Sequence, residues 1–185
     1  LRKQGVEAKF DGGTLTSDGG LLLLREVDRK LGLIERINKA IADPRDPVYV
    51  VHPQAEMLTS RIFGIAAGYE DGNDHQQLRH DPAFQVAAGR TPAEMNYDDN
   101  FPLASPSTLS RLENRVDAKT CFALHEVLVD TFLNSFEVPP EEIMLDFDAT
   151  DVQTHRIQDK NSFNGVYSGY GILPLYVFVG EQARG

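Results

Sequence analysis

Asp146, Asp148 and Thr150 stand at alternate positions in the stretch IMLDFDATDVQTH, residues 143–155. In an extended chain alternate residues share a face. Two carboxylates and a hydroxyl therefore project from one side of an otherwise apolar strand. Asp is disfavoured inside strands, and two on one face repel unless something positive lies between them. Three chemistries fit. A half-exposed strand with a solvated face explains the alternation, although Thr, Lys or Arg would serve that purpose more easily. A divalent-cation site would use the carboxylates as hard oxygen ligands; Mg²⁺ takes few of these from protein. Two such ions can activate an attacking oxygen and stabilise the leaving one in a displacement at phosphorus. In the third chemistry Asp146 acts as a nucleophile and Asp148 as general acid/base, through an Asp-x-Asp-x-Thr motif. That motif is short and recurs by chance.

Other residues could also do chemistry. SPSTLSRLENR, residues 105–115, opens a helix in which Thr108 and Ser110 (with Ser107) could donate to phosphates. Arg111 and Arg115 could reach backbone or bases. Ser107 would serve equally as an N-cap. Arg156 and Lys160 follow the acidic strand and could meet a phosphate beside a metal, or belong to a solvated loop. Arg2, Lys3 and Lys9 form a weak basic arm. GYEDGNDHQQLRHDP (68–82) gathers Asp71, Asp74, His75, Arg79, His80 and Asp81. Its spacing does not suit a tetrahedral metal site. Capping is the simpler reading: Asp74 at a helix start, Arg79 and Asp81 near its end. His125 and Cys121 sit on an apolar helix face, as a core or interface histidine and a small hydrophobe.

The elements that must position these groups follow from periodicity. Residues 5–16 read as a short strand or arm with a Gly12–Gly13 turn. Ser17 is a candidate N-cap for a helix over 18–31, stopped by Gly32. A second helix is expected over 33–42, broken by DPRDP at 43–47. Pro53 suits the start of a third, with Leu58, Ile62, Ile65 and Tyr69 as its buried stripe. Short helices are expected at 74–80 and 82–88, a loop over 90–106 and a capped helix over 105–117. The longest helix is expected over 117–136, with Cys121, Phe122, His125, Leu128, Val129, Phe132 and Phe136 on its apolar face. The character then changes to strands at 142–150 and 170–180, with Pro174 marking an edge or a bulge. Residues 151–169 show no helical period. A parallel pair would need a crossover, usually a helix, so the two strands are expected to pair antiparallel.

Composition bounds the function. The chain has 185 residues, 41% of them hydrophobic and 25% charged, enough for one large domain or two small ones. A single cysteine, Cys121, allows no internal disulfide and suits a reducing cytoplasm. No apolar run is long enough to span a membrane. The net charge of −10 argues against nucleic-acid binding, although local basic clusters can sit on an acidic background. The chain begins without methionine and ends at EQARG, which reads as an N-terminal fragment of a longer protein.

Six blocks follow one another in order: LTSDGGLLLLREVDRKLGL (15–33), DPRDP (43–47), GYEDGNDHQQLRHDPAF (68–84), SPSTLSRLEN (105–114), LDFDATD (145–151) and GYGILPLYVFVGEQ (169–182). Together they resemble the DDE transposases of bacterial insertion sequences, in the group-one DDE branch (insertion sequence 1380 type), over nearly the whole chain. The resemblance implies an α+β fold: a mainly helical region over 1–140, for DNA binding or dimerisation, then the first antiparallel strands of an RNase H-like catalytic domain over 141–185. It implies DNA cleavage and rejoining at element ends by two-metal phosphoryl transfer, with Mg²⁺ or Mn²⁺. The first acidic ligand is carried to Asp148, whose Asp-x-Thr context matches, with Asp146 as co-ligand or electrostatic neighbour. The family's second Asp and its Glu would lie beyond Gly185. The partners implied are DNA, at element ends and target, and a second copy in a homodimer on DNA, with no membrane; the location is the bacterial cytoplasm, at the nucleoid. Two other readings stand beside it. One is a non-catalytic DNA-binding or dimerising fragment of the same lineage; the other is a phosphatase of the haloacid-dehalogenase type using DFDAT.

Overall fold

A computed structural model describes residues 15–90, 101–138, 140–154, 162–166 and 168–179. The chain divides into two units, Leu1–Phe132 and Leu133–Gly185. The fold class is α+β, with helices first and antiparallel strands after them.

The first unit is built from helices. α1 (Leu21–Leu31) opens after Gly20 with no side-chain cap. The expected cap, Ser17, instead meets Asp18 (Oγ to Oδ2, 3.4 Å). The glycines at 19 and 20 favour a turn over a first helical turn, so the start shifts three residues. Gly32 closes the helix at φ 63°, the left-handed conformation that suits glycine. It leads directly into α2 (Leu33–Ala40), whose Ile34 N–H donates to the Asp28 carboxylate at 2.9 Å. The DPRDP segment then breaks the helix and leads to a short 3₁₀ turn at Pro47–Tyr49.

α3 (Gln54–Ala66) lies at the centre. It contacts α2 and two later helices, α5 (Pro82–Ala87) and α6 (Pro106–Glu113), so more than one face is covered. Met57, Leu58, Ser60, Phe63 and Gly64 are buried. Of the expected stripe, Leu58 is buried, Ile62 and Tyr69 are partly buried, and Ile65 is 49% exposed. The core-facing arc runs through Met57 and Phe63 rather than Ile65, because neighbours flank the helix on both sides. Gln54 ties its start to the end of α2 by donating to the Ile41 carbonyl at 2.8 Å. α4 (His75–Leu78) and α5 lie between α3 and α6 in the chain. Phe84, Leu103, Leu109 and Leu112 complete the core.

The caps of this region differ from expectation. Asp74 precedes α4 without a side-chain cap bond. Asp71 caps the preceding 3₁₀ turn through Asn73 N–H at 2.9 Å. Asp81 caps α5, accepting from Ala83 N–H at 2.8 Å and Phe84 N–H at 3.2 Å. Charge-dense turns offer several acceptors, and the one reaching two orphan amides wins. α7 (Ala118–Leu133) has no buried residue. Its expected apolar face is largely open: Phe122, Leu128 and Val129 are exposed, and Leu124 meets the core instead. Cys121 and His125 are exposed as well, with His125 Nδ1 2.9 Å from the Cys121 carbonyl.

The second unit holds strands β1 (Leu145–Ala149), β2 (Val152–Gln153), β3 (Ser162–Asn164), β4 (Gly169–Ile172) and β5 (Leu175–Val179). β1 and β5 pair antiparallel, as expected for the strands at 142–150 and 170–180. The second expected strand is split at Leu173–Pro174. Its first half, β4, sits between β2 and β3 in a separate sheet of order β2-β4-β3. Pro174 has no N–H to offer a ladder; its carbonyl accepts from Thr150 N–H at 3.1 Å. The segment 151–169, which lacks a helical period, supplies two short strands.

Candidate functional site

The ladder fixes which residues surround the two carboxylates. Asp146 pairs with Phe178 and Asp148 with Tyr176. Directly paired residues point to the same side of a sheet, so the acidic face also carries two aromatic rings. These rings stack at 6.2 Å between centroids and 23° between planes. The opposite face is apolar: Leu145 with Val179, Phe147 with Val177, Ala149 with Leu175. Residues i and i+2 on a strand lie roughly 7 Å apart, so each carboxylate feels the other. Both are exposed. Neither makes a hydrogen bond or ion pair with a described residue. Thr150, the third member of the alternation, follows the end of β1 and is also exposed. Arg156 and Lys160 lie outside the described residues.

This donor set is chemically suited to a hard divalent cation: two anionic oxygen ligands, open to solvent and unneutralised. It is incomplete taken alone. Among the described residues no group of three or more His, Cys, Asp or Glu gathers to hold a metal.

The helical unit holds a second constellation. Thr108, Arg111 and Arg115 line a pocket of about 530 Å³ together with Arg45, Tyr49, Val51, His52 and Leu112. The spacing of three and then four residues puts Thr108, Arg111 and Arg115 on one side of α6 and its C-terminal extension. Ser110 faces away; its hydroxyl and carbonyl take the Asn114 amide at 3.2 and 2.9 Å. Ser107 is not the N-cap. Ser105 occupies that position, its hydroxyl 3.1 Å from Ser107 Oγ and 3.0 Å from Thr108 Oγ1.

The electrostatics of the pocket are fixed by Asp43. Arg45 grips it with Nη2 at 2.6 Å and Nε at 2.7 Å, and Arg115 Nη1 reaches its Oδ1 at 2.9 Å. The Arg45 guanidinium, then Arg115, holds the Asp43 carboxyl well below the usual carboxylate range, against the opposing effect of burial. Arg45 also donates to the His52 carbonyl at 3.0 Å. Arg111 bonds only within its own helix, Nε to the Ser107 carbonyl at 3.0 Å and Nη2 to Ser107 Oγ at 3.5 Å. Arg45 and Arg115 therefore share the Asp43 carboxylate, while Arg111, lining the same pocket, makes no ion pair with a described residue, which leaves local positive charge on an acidic chain. Glu56, next to His52 at 2.9 Å, is itself matched by Arg90 at 3.0 Å.

Sequence reasoning missed Arg45, Tyr49 and His52 in this pocket and Tyr176 and Phe178 beside the acids. The DPRDP block held the signal for Arg45: its prolines restrict Asp43 and Asp46, the residues on either side of the Pro44–Arg45 pair.

His75, from the charge-dense block, is fully buried. Its Nδ1 lies 3.3 Å from Ser60 Oγ and its ring meets Phe84 edge-on. Burial, helped by Arg61, pushes its pKa down. It is part of the core.

Among the described residues no helix is long and apolar enough to cross a membrane. No curated protein and no solved structure matches the chain. The family model for the transposase DDE domain, group 1, matches residues 1–184. The helical unit and the acidic strand are both inside that match, and the chain belongs to the group 1 DDE transposase domain family.

Proposed function

We propose that this chain serves a DNA transposase that cuts and rejoins DNA at the ends of an insertion sequence. In this reading β1 and β5 are the opening strands of an RNase H-like domain. Asp148 is the first acidic ligand for divalent cations, with Asp146 beside it. The observation that carries this is the pair of exposed, unneutralised carboxylates on one face of β1, inside a family match that spans the helical unit as well. The pair has no structural partner among the described residues. Cation binding is its simplest explanation.

Bound there, two Mg²⁺ or Mn²⁺ ions would supply the Lewis acidity that a displacement at phosphorus requires. The protein's own part is to hold carboxylate oxygens at a fixed spacing on a paired strand. A strand does this better than a loop, since its dihedrals are set by the ladder. The phosphatase reading is weakened by the family match, which runs through both the helical unit and the acidic strand.

The second reading is DNA binding without strand cleavage. One experiment separates the two. Strand cleavage of element-end DNA is measured with the protein expressed from its complete reading frame. Asp148→Ala should abolish cleavage while sparing DNA binding. Cleavage at the wild-type rate in that variant would sink the metal assignment. No cleavage by the wild type, with DNA still bound, would favour the binding-only reading.

A further inference from the structure

We propose that the pocket between residues 45–52 and α6 binds one backbone phosphate of a DNA strand, with the neighbouring base stacked on Tyr49. The choice of DNA as the strand rests on the transposase reading; the anion site rests on the geometry alone.

Three observations converge. First, Arg45 comes from a segment far in the chain from Arg111 and Arg115, yet all three line one cavity, and the carboxylate of Asp43 pairs with only Arg45 and Arg115. Asp43 balances only part of this charge, so the cluster keeps a net positive charge that an anion would neutralise. Second, two of the three are held in place. Asp43 fixes Arg45 and Arg115, and the His52 carbonyl fixes Arg45 again. Arg111 makes no ion pair with a described residue, so it is the group best able to turn to a ligand. A phosphate here would meet donors already oriented, which lowers the entropy cost of binding. Third, Tyr49 is 81% exposed at the pocket, on the 3₁₀ turn Pro47–Tyr49. That turn is pinned by Asp46, whose side chain accepts from Val48 N–H at 3.0 Å and whose carbonyl accepts from Tyr49 N–H at 3.0 Å. A ring so exposed contributes nothing to the core, and its rigid base makes it a platform for stacking.

The volume of about 530 Å³ is in the range of small-ligand pockets, roughly 300–1,000 Å³. It suits one nucleotide unit rather than a helix groove. The predicted ligand is therefore an unpaired or frayed strand, gripped at one phosphate.

The test is fluorescence anisotropy of the 185-residue chain with a labelled short single-stranded oligonucleotide, in EDTA so that the acidic strand cannot contribute through a metal. Arg111→Gln should weaken binding about tenfold, as expected for losing a charge-assisted hydrogen bond, and reduce the salt slope by about one. Tyr49→Ala should weaken it about tenfold through lost stacking and leave the salt slope unchanged. Both side chains are exposed, so melting temperatures should match wild type, which separates lost binding from lost folding. Inorganic phosphate should compete weakly and lose its effect in Arg111→Gln. A pocket that takes free phosphate only would show that competition with no response to Tyr49→Ala, and the proposal would fall. It would fall equally if both variants bound the oligonucleotide like wild type, or if wild type did not bind it. Loss of cleavage reports on the acidic strand and loss of metal-free binding on the pocket, so either idea can fail alone.

Discussion

Asp148 stands directly across the β1–β5 ladder from Tyr176, and Asp146 across from Phe178. The acids are thus held between a neighbouring strand's aromatic rings and open solvent, two residues apart along one edge. Removing either charge breaks no hydrogen bond or ion pair among the described residues. Asp148→Asn should therefore melt within about 0.5 kcal/mol of wild type, as exposed substitutions do. The metal response should differ sharply. Mn²⁺ should raise the melting temperature of the wild type by mass action and leave the Asp146→Asn/Asp148→Asn double variant unmoved. Differential scanning fluorimetry with and without Mn²⁺ reads both. An equal Mn²⁺ shift in the double variant would show that the cation sits elsewhere.

His75 gives the helical unit a pH dependence. Its ring is fully buried, and burial favours the neutral form; Arg61 adds to this, while Asp74 and Glu113 oppose it. The unfolded chain takes up a proton near the ordinary value of 6.5, and the folded chain does so only at lower pH. Stability from this residue is thus unaffected well above 6.5 and falls as pH drops below it. The slope approaches about 1.4 kcal/mol per pH unit until the folded-state pKa is reached. Urea melts between neutral and mildly acidic pH should show this slope in the wild type. In His75→Gln the slope should shrink by one proton, whatever the substitution does to overall stability. An unchanged slope would mean that the ring is reached by water.

How much of this was legible beforehand depends on the range of the interactions. Local signals served well. Gly32 ended α1 and DPRDP ended α2, and of the candidate DNA contacts on α6, Thr108, Arg111 and Arg115 line the pocket while Ser110 does not. The antiparallel pairing of the acidic strand followed from the lack of a helical crossover. The rest depended on long-range packing. Arg45 joins the pocket because Asp43 bridges to Arg115 across 72 positions, a contact no local pattern encodes. β2 and β3 have two and three residues, too short for any period to register. Periodicity marked an apolar face on α7 but could not say that Phe122 and Leu128 stay exposed. The family resemblance located the acids and could not place the aromatic rings beside them.

Asp81 joins the start of α5 to the segment before α1. It accepts from two amides at the start of α5 and from the Thr16 hydroxyl at 3.0 Å. Pro82 follows at the first helical position, where its missing N–H costs nothing. Asp81→Ala removes the cap and should destabilise the helical unit by about 0.5–2 kcal/mol. Asp81→Asn keeps an acceptor oxygen and should recover most of this. Equilibrium denaturation of the two variants checks the ordering, and equal losses would show that charge rather than capping matters.

At Gly171 in the strand unit there is no room for a side chain. A Cβ built there would lie 2.7 Å from the Val152 carbonyl oxygen and 3.3 Å from Asp151 Oδ1. The first contact is with backbone, so it cannot be relieved by turning a side chain. Gly171 pairs with Gln153 on one side and Ser162 on the other, at the middle of the β2-β4-β3 sheet. Gly171→Ala should therefore push β2 from β4, at a cost of about 1–3 kcal/mol, as overpacking does elsewhere. The Thr154 N–H, which donates to the Tyr170 carbonyl at 3.0 Å, should lose its protection from hydrogen exchange. The β1–β5 ladder has its own hydrogen bonds and should keep its protection, so the effect would be confined to the smaller sheet. Retained protection at Thr154 in the variant would show that β2 and β4 do not approach as closely as their register requires.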